Sequence, residues 1–179
     1  MSITEENAAE AIRLVEEAAQ RSKALRGYRR AAPHLILWGV IYAVAYSGAY
    51  FQPDRTVLVW LVLVPSGVIG DVLIAWRDRP CNWALLAGIF LTFFAFVAAT
   101  MSIMHPRDPR QVAAFVPLVV AAAYAVLGMS LGPRFVFIGL ALGLLTLIGF
   151  FALSSIFMLW MAAVGGGALV LGGLWLRQV

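Results

Sequence analysis

Between Pro33 and Leu176 the chain is a succession of apolar stretches of bilayer-spanning length, separated by short charged turns, with one acidic side chain, Asp71, inside a stretch. A hydrocarbon layer about 30 Å thick takes roughly 20 apolar residues of helix, and lipid satisfies no unpaired backbone N–H or C=O. Repeated runs of this length therefore predict an all-α integral membrane protein. At 63% hydrophobic and 12% charged residues, the chain is far more apolar than a water-soluble domain.

The stretches divide into six predicted spans, about 33–51, 56–76, 82–104, 112–131, 135–153 and 156–176, forming one transmembrane domain over 33–176. Turns rich in proline and charge set the first four apart: Gln52-Pro53-Asp54-Arg55, the Arg77–Cys81 segment and the segment from His105 to Gln111. Gly132-Pro133-Arg134 opens the fifth. The last 42 residues before Arg177, Phe135 to Leu176, carry no charge. One straight helix of that length would reach roughly 63 Å, about twice the hydrocarbon thickness, so the segment must reverse. Ser154-Ser155 is the expected turn, which makes six spans, five with a re-entrant piece being the alternative.

Residues 1–30 have a different character and predict a cytoplasmic amphipathic helix. Ser2 and Glu5 match a capping box, and Glu5, Glu6 and Glu10 suit the positive end of a helix dipole. Arg21, Lys23, Arg26, Arg29 and Arg30 suit its negative end and an anionic leaflet beside it. Ala8, Ala11, Ile12, Val15, Ala18, Ala19 and Leu25 recur at helical spacing and form an apolar stripe that needs something to lie against: a partner helix, loops of the same chain, or a membrane surface. This acidic, helical start differs from a cleavable signal peptide.

With an even number of spans, the two termini share a side. That side collects Arg21, Lys23, Arg26, Arg29, Arg30, Arg77, Arg79, Arg134 and Arg177, nine basic residues against three (Arg55, Arg107 and Arg110) on the other. The positive-inside rule then places both termini in the cytoplasm, with the weight of the argument on the five basic residues before the first span. Their position at helix ends accounts for the net charge of +4 without nucleic acid as a partner.

Asp71 is the sharpest chemical signal. A carboxylate inside a spanning helix is costly and faces protein or trapped water; five residues from Trp76, it lies about 8 Å from the membrane boundary. Ser66, Gly67 and Gly70 allow a neighbouring helix to approach at its level. His34 at the start of the first span is the expected partner, with Arg30 and Arg77 as competitors, and the pair reads as a switch or ion site. His34, Trp38, Tyr42, Tyr46 and Tyr50 recur every fourth residue as an aromatic stripe, so Trp38, Tyr42 and Tyr46 are candidate pocket-lining residues. The alternative is packing and interfacial anchoring. Gly39, Ala43 and Ser47 form a smooth face beside them. Gly139 with Gly143, Ala163 with Gly167 and Ala168 with Gly172 have the spacing of close helix contacts, within the fold or between copies in a homo-oligomer.

Catalytic and metal signals are sparse. His34 and His105 belong near opposite membrane faces, Cys81 is the single cysteine, His105 with Asp108 reads best as a solvated turn, and the chain has no nucleophile elbow or phosphate loop. The expectation is a non-enzyme without a metal or cofactor.

The segment over residues 12–50, with a charged helix running into a first span that contains Leu37-Trp38-Gly39, resembles a loose group of small bacterial multi-pass membrane proteins. The resemblance implies a bacterial inner-membrane protein and admits a small cytoplasmic regulator as partner. Two functions are compatible with these features: a noncatalytic sensor or scaffold that engages a cytoplasmic protein through its N-terminal helix, and a small proton- or cation-coupled transporter that uses Asp71.

Overall fold

The computed structural model describes residues 5–77 and 82–178; Ser2, Arg79 and Cys81, discussed above, lie outside the described residues. The described chain is helical, without a strand: α1 Glu5–Phe51, α2 Thr56–Arg77, α3 Trp83–Met104, α4 Pro109–Leu131, α5 Pro133–Ala152, α6 Phe157–Trp160 and α7 Gly166–Arg177. A π turn, Met161–Gly165, joins α6 to α7, and 3-10 turns at Pro53–Arg55 and Ser154–Ile156 make two of the reversals. Six segments are long and apolar enough to cross a bilayer, the last being the composite Ser154–Arg177. The protein is thus a multi-pass helical membrane protein.

The N-terminal helix and the first span are one element. Pro33 lies inside α1 and removes one hydrogen bond from its ladder, yet the 47 residues continue as a single helix about 70 Å long. Burial begins at Tyr28 and continues through Ala32 and Leu35, whereas residues 10–23 are exposed on every side. The first part of α1 therefore projects from the bundle without packing against it.

Within the bundle α1 is central, packed against α2 on one side and against the π turn and α7 on another; α4 and α5 pair with each other, and α5 also meets α7. Glycines make these approaches possible. A Cβ on Gly166 would stand 2.8 Å from the Gly39 carbonyl oxygen and 2.9 Å from the Ala43 nitrogen, and one on Gly173 2.8 Å from the Ala32 carbonyl oxygen. The smooth face of the first span thus meets the backbone of the last. Gly139 plays the same part between α5 and α4, since its Cβ would stand 2.7 Å from the Ala125 nitrogen. Gly143 makes an ordinary contact with Ala121, and Gly167 faces open space.

The base of the projecting helix is clamped by the loop between α4 and α5 and by the C-terminal end. Tyr28 packs on Phe135, and its hydroxyl accepts the Arg134 N–H at 3.4 Å. The Arg134 guanidinium lies 5.6 Å from the Tyr28 ring centre and 4.7 Å from that of Trp175, and donates to the Trp175 carbonyl at 2.8 Å. Gly132, with φ 128°, allows this loop to pass the Tyr28 hydroxyl where a side chain would collide. By contrast α3 is peripheral. None of its most apolar stretch, Ala87–Met104, is buried, and it leans on α4 through Phe96 and Phe115, whose ring centres are 6.2 Å apart.

Replacing Gly166 by valine forces α1 and α7 apart. In reversible denaturant unfolding of the purified protein, G166V is expected to lose about 2 kcal/mol or more, the scale of core overpacking. G167A, one residue on but in open space, should match or exceed the parent.

Candidate functional site

Val64, Gly67 and Asp71 follow one another at three- and four-residue spacing, so they share one face of α2, and this face carries Asp71 toward α1. Two glycines let the helices close at this level: a Cβ on Gly67 would lie 2.6 Å from the Ile41 Cδ1 atom and 3.1 Å from the Trp38 ring, and one on Gly70 2.7 Å from Leu37 Cδ2. Asp71 is consequently 5% exposed.

Its carboxylate is held by two side chains one helical turn apart on α1. His34 Nδ1 lies 2.6 Å from Oδ1, and Trp38 Nε1–H donates to Oδ2 at 2.6 Å. Indole nitrogen only donates, so Oδ2 is an acceptor whatever the state of the pair. The short His34 contact requires one proton between Nδ1 and Oδ1. A second proton taken up by the imidazole makes the site neutral overall, while without it the site has a net charge of −1. The histidine side chain keeps 29% of its surface exposed, so it is the accessible member of the group, while the Asp71 side chain keeps 7%.

Among the described residues the ion partner of Asp71 is His34, in preference to Arg30 or Arg77. Trp38 is brought to the same carboxylate, a role the sequence reading did not give it. The i, i+4 spacing from His34 was the available signal, because any carboxylate reaching one of these residues stands beside the other. Tyr124 on α4 is a second addition: its hydroxyl is within electrostatic reach of Asp71. No sequence pattern marked it, since it lies three spans away from α1.

Tyr42 and Tyr46 continue the stripe into the interior. Both are buried and pack edge-on against each other at 5.6 Å and against Trp60 of α2 at 6.1 and 5.2 Å. The Tyr46 hydroxyl donates to the Ala113 carbonyl, joining α1 to α4. These rings fill space between helices. Two open grooves, one along α3 and one between α4 and α5, are lined by other residues. The arrangement at Asp71 is thus a hydrogen-bonded contact between two helices in which both carboxylate oxygens have a partner.

On the opposite face, His105 ends α3 in a left-handed conformation, φ 42°, and Asp108 caps α4 by accepting the Arg110 N–H at 2.8 Å. The Arg110 side chain also donates to both Asp108 oxygens, at 2.9 and 2.6 Å to Oδ2 and 3.1 Å to Oδ1. Among the described residues no cluster of three His, Cys, Asp or Glu side chains is placed to hold a metal ion.

Removing one Asp71 donor leaves a carboxylate oxygen unsatisfied, so W38F is expected to lose about 1–3 kcal/mol in denaturant unfolding, and the double variant with D71N less than the sum of the two single changes. At Asp108, hydrogen bonds from Arg110 hold the carboxyl below the usual aspartate value. A depressed value in the fold contributes stability above the unfolded value and loses it as pH falls through the lowered one. Amide exchange at Arg110, whose N–H the carboxylate accepts, should therefore gain relative rate below about pH 4 in the parent and show no such step in D108A. Comparison of the chain with protein-family models, with curated proteins and with solved structures returns no match.

Proposed function

We propose that this protein is a noncatalytic membrane sensor in which protonation at His34 and Asp71 changes how α1 is held and, through it, the presentation of the projecting N-terminal helix to a cytoplasmic protein. The observation that carries the reading is the continuity of α1. The element that supplies both donors to Asp71 is the same unbroken helix whose residues 10–23 stand exposed outside the bundle.

The groups facing Asp71 are His34 and Trp38 on α1 and the Tyr124 hydroxyl on α4. Imidazole is the side chain whose ordinary titration falls between pH 5 and 8. A proton taken up by the pair changes its charge from −1 to neutral and sets an imidazolium against the carboxylate, strengthening the attachment of α1 to α2. Without that proton the attachment is a neutral donor on a carboxylate. The basic residues before the first span support a cytoplasmic placement for the projecting helix, in an inner membrane of bacterial type. The packed state of Tyr42 and Tyr46 favours a sensor over a carrier, because a carrier needs a path for its cargo.

The test measures the pose of the projecting helix. In a C81S background, spin labels at I12C and Q178C in lipid nanodiscs report the distance between the N-terminal helix and the end of α7. A shift of about 2 Å or more between pH 8 and pH 5.5, the size of a helix displacement in a switching protein, is expected in the parent and should vanish in D71N and H34Q. A pH-invariant distance in the parent overturns the reading.

A further inference from the structure

The exposed part of α1 has a docking face whose charges define what it fits. Ala11, Ile12, Val15, Ala18, Ala19 and Ser22 share one side of the helix. Ile12 is 60% exposed and Val15 69%, so the ridge is uncovered in the isolated chain. Both flanks of the ridge have the same polarity. On one side Glu10 is followed toward the bundle by Arg21; on the other Glu16 is followed by Lys23; and Arg26 closes the ridge at its base. Every flank is thus acidic at its far end and basic near the membrane.

This polarity selects among occupants. A second copy in the same bilayer raises its helix in the same direction, which sets acidic beside acidic and basic beside basic. A lipid surface is unsuited for a different reason: α1 runs without a break out of a spanning segment, so its ridge stands along the direction of the span instead of lying on the bilayer. From the charge complementarity we infer that the occupant is an amphipathic helix of another, soluble protein, with an apolar ridge flanked by basic side chains at the end that meets Glu10 and Glu16 and by acidic ones at the end that meets Arg21 and Lys23. The inference rests on the reading of the N-terminal helix as a partner-binding element and specifies the partner's chemistry.

The experiment uses the full-length protein in phosphatidylcholine nanodiscs at one fixed pH and two fluorescent helical peptides of identical composition. One has an apolar ridge with its lysines gathered at one end and its glutamates at the other; in its isomer the same charges are interleaved. Fluorescence anisotropy should show saturable binding of the segregated peptide at least tenfold tighter than that of the isomer. The double variant R21E/K23E should abolish that preference and instead favour a peptide flanked by lysine throughout. These two residues are exposed, so the exchange leaves the bundle intact. Equal binding of the two isomers overturns the charge assignment while leaving partner binding by α1 standing. Disulfide cross-linking between copies at V15C in a C81S background, or protection of a fluorophore at that position by added anionic vesicles, overturns both, because a second copy or a lipid surface then occupies the ridge. Absence of saturable binding by either peptide overturns the charge assignment as well.

Discussion

Helices already in lipid gain nothing from hiding apolar surface, so their association depends on how closely backbones can approach. In this protein such approaches converge on α1 and recur between α4 and α5. Gly166 and Gly173 bring the last span against Gly39, Ala43 and Ala32, while Gly67 and Gly70 bring α2 against Leu37, Trp38 and Ile41. Dispersion contacts at these distances hold the bundle together, and they position a polar group that lipid alone would not tolerate. The Asp71 site depends on these glycines as well as on its own donors: a methyl group at residue 67 would stand 2.6 Å from Ile41 Cδ1 and 3.1 Å from the Trp38 ring, so both must give way.

The site differs from the rest of the interior in its chemistry and resembles it in its completeness. No buried side-chain nitrogen or oxygen among the described residues lacks a partner. The Thr146 hydroxyl returns to the Leu142 carbonyl, Trp160 donates to the Leu145 carbonyl, and Tyr46 to that of Ala113. Each of those groups is neutral and has one stable arrangement. Asp71 with His34 is different because its hydrogen bonds survive more than one protonation state, so its charge can change without leaving an orphaned atom.

Much of the architecture was legible in the sequence because lipid imposes a length and a polarity on each element. The reversal at Ser154–Ile156 follows from length alone, since 42 uncharged residues cannot cross once. The pairing of Asp71 with His34 follows from their common depth and a short connecting turn. Other features were hidden because they depend on which helices become neighbours. Tyr124 stacks on Phe135 through the packing of α4 against α5, a relation without a sequence period. Pro33 reads as a helix start, yet tertiary contacts on both sides of it, from Tyr28 to Leu35, hold the helix through it. The sparse packing of α3 is equally unreadable, because its apolar composition is what a buried span would also have.

The unbroken course of α1 has a mechanical consequence. From Tyr28, where burial of α1 begins, to Glu5 the helix extends about 35 Å, and its residues 10–23 are exposed. A tilt of about 5° at the Tyr28 base would carry the far end sideways by about 3 Å, comparable with a helix displacement in a switching protein, while atoms at the base move by tenths of an ångström. The length of the exposed arm thus amplifies, at its far end, any small change in how its base is held.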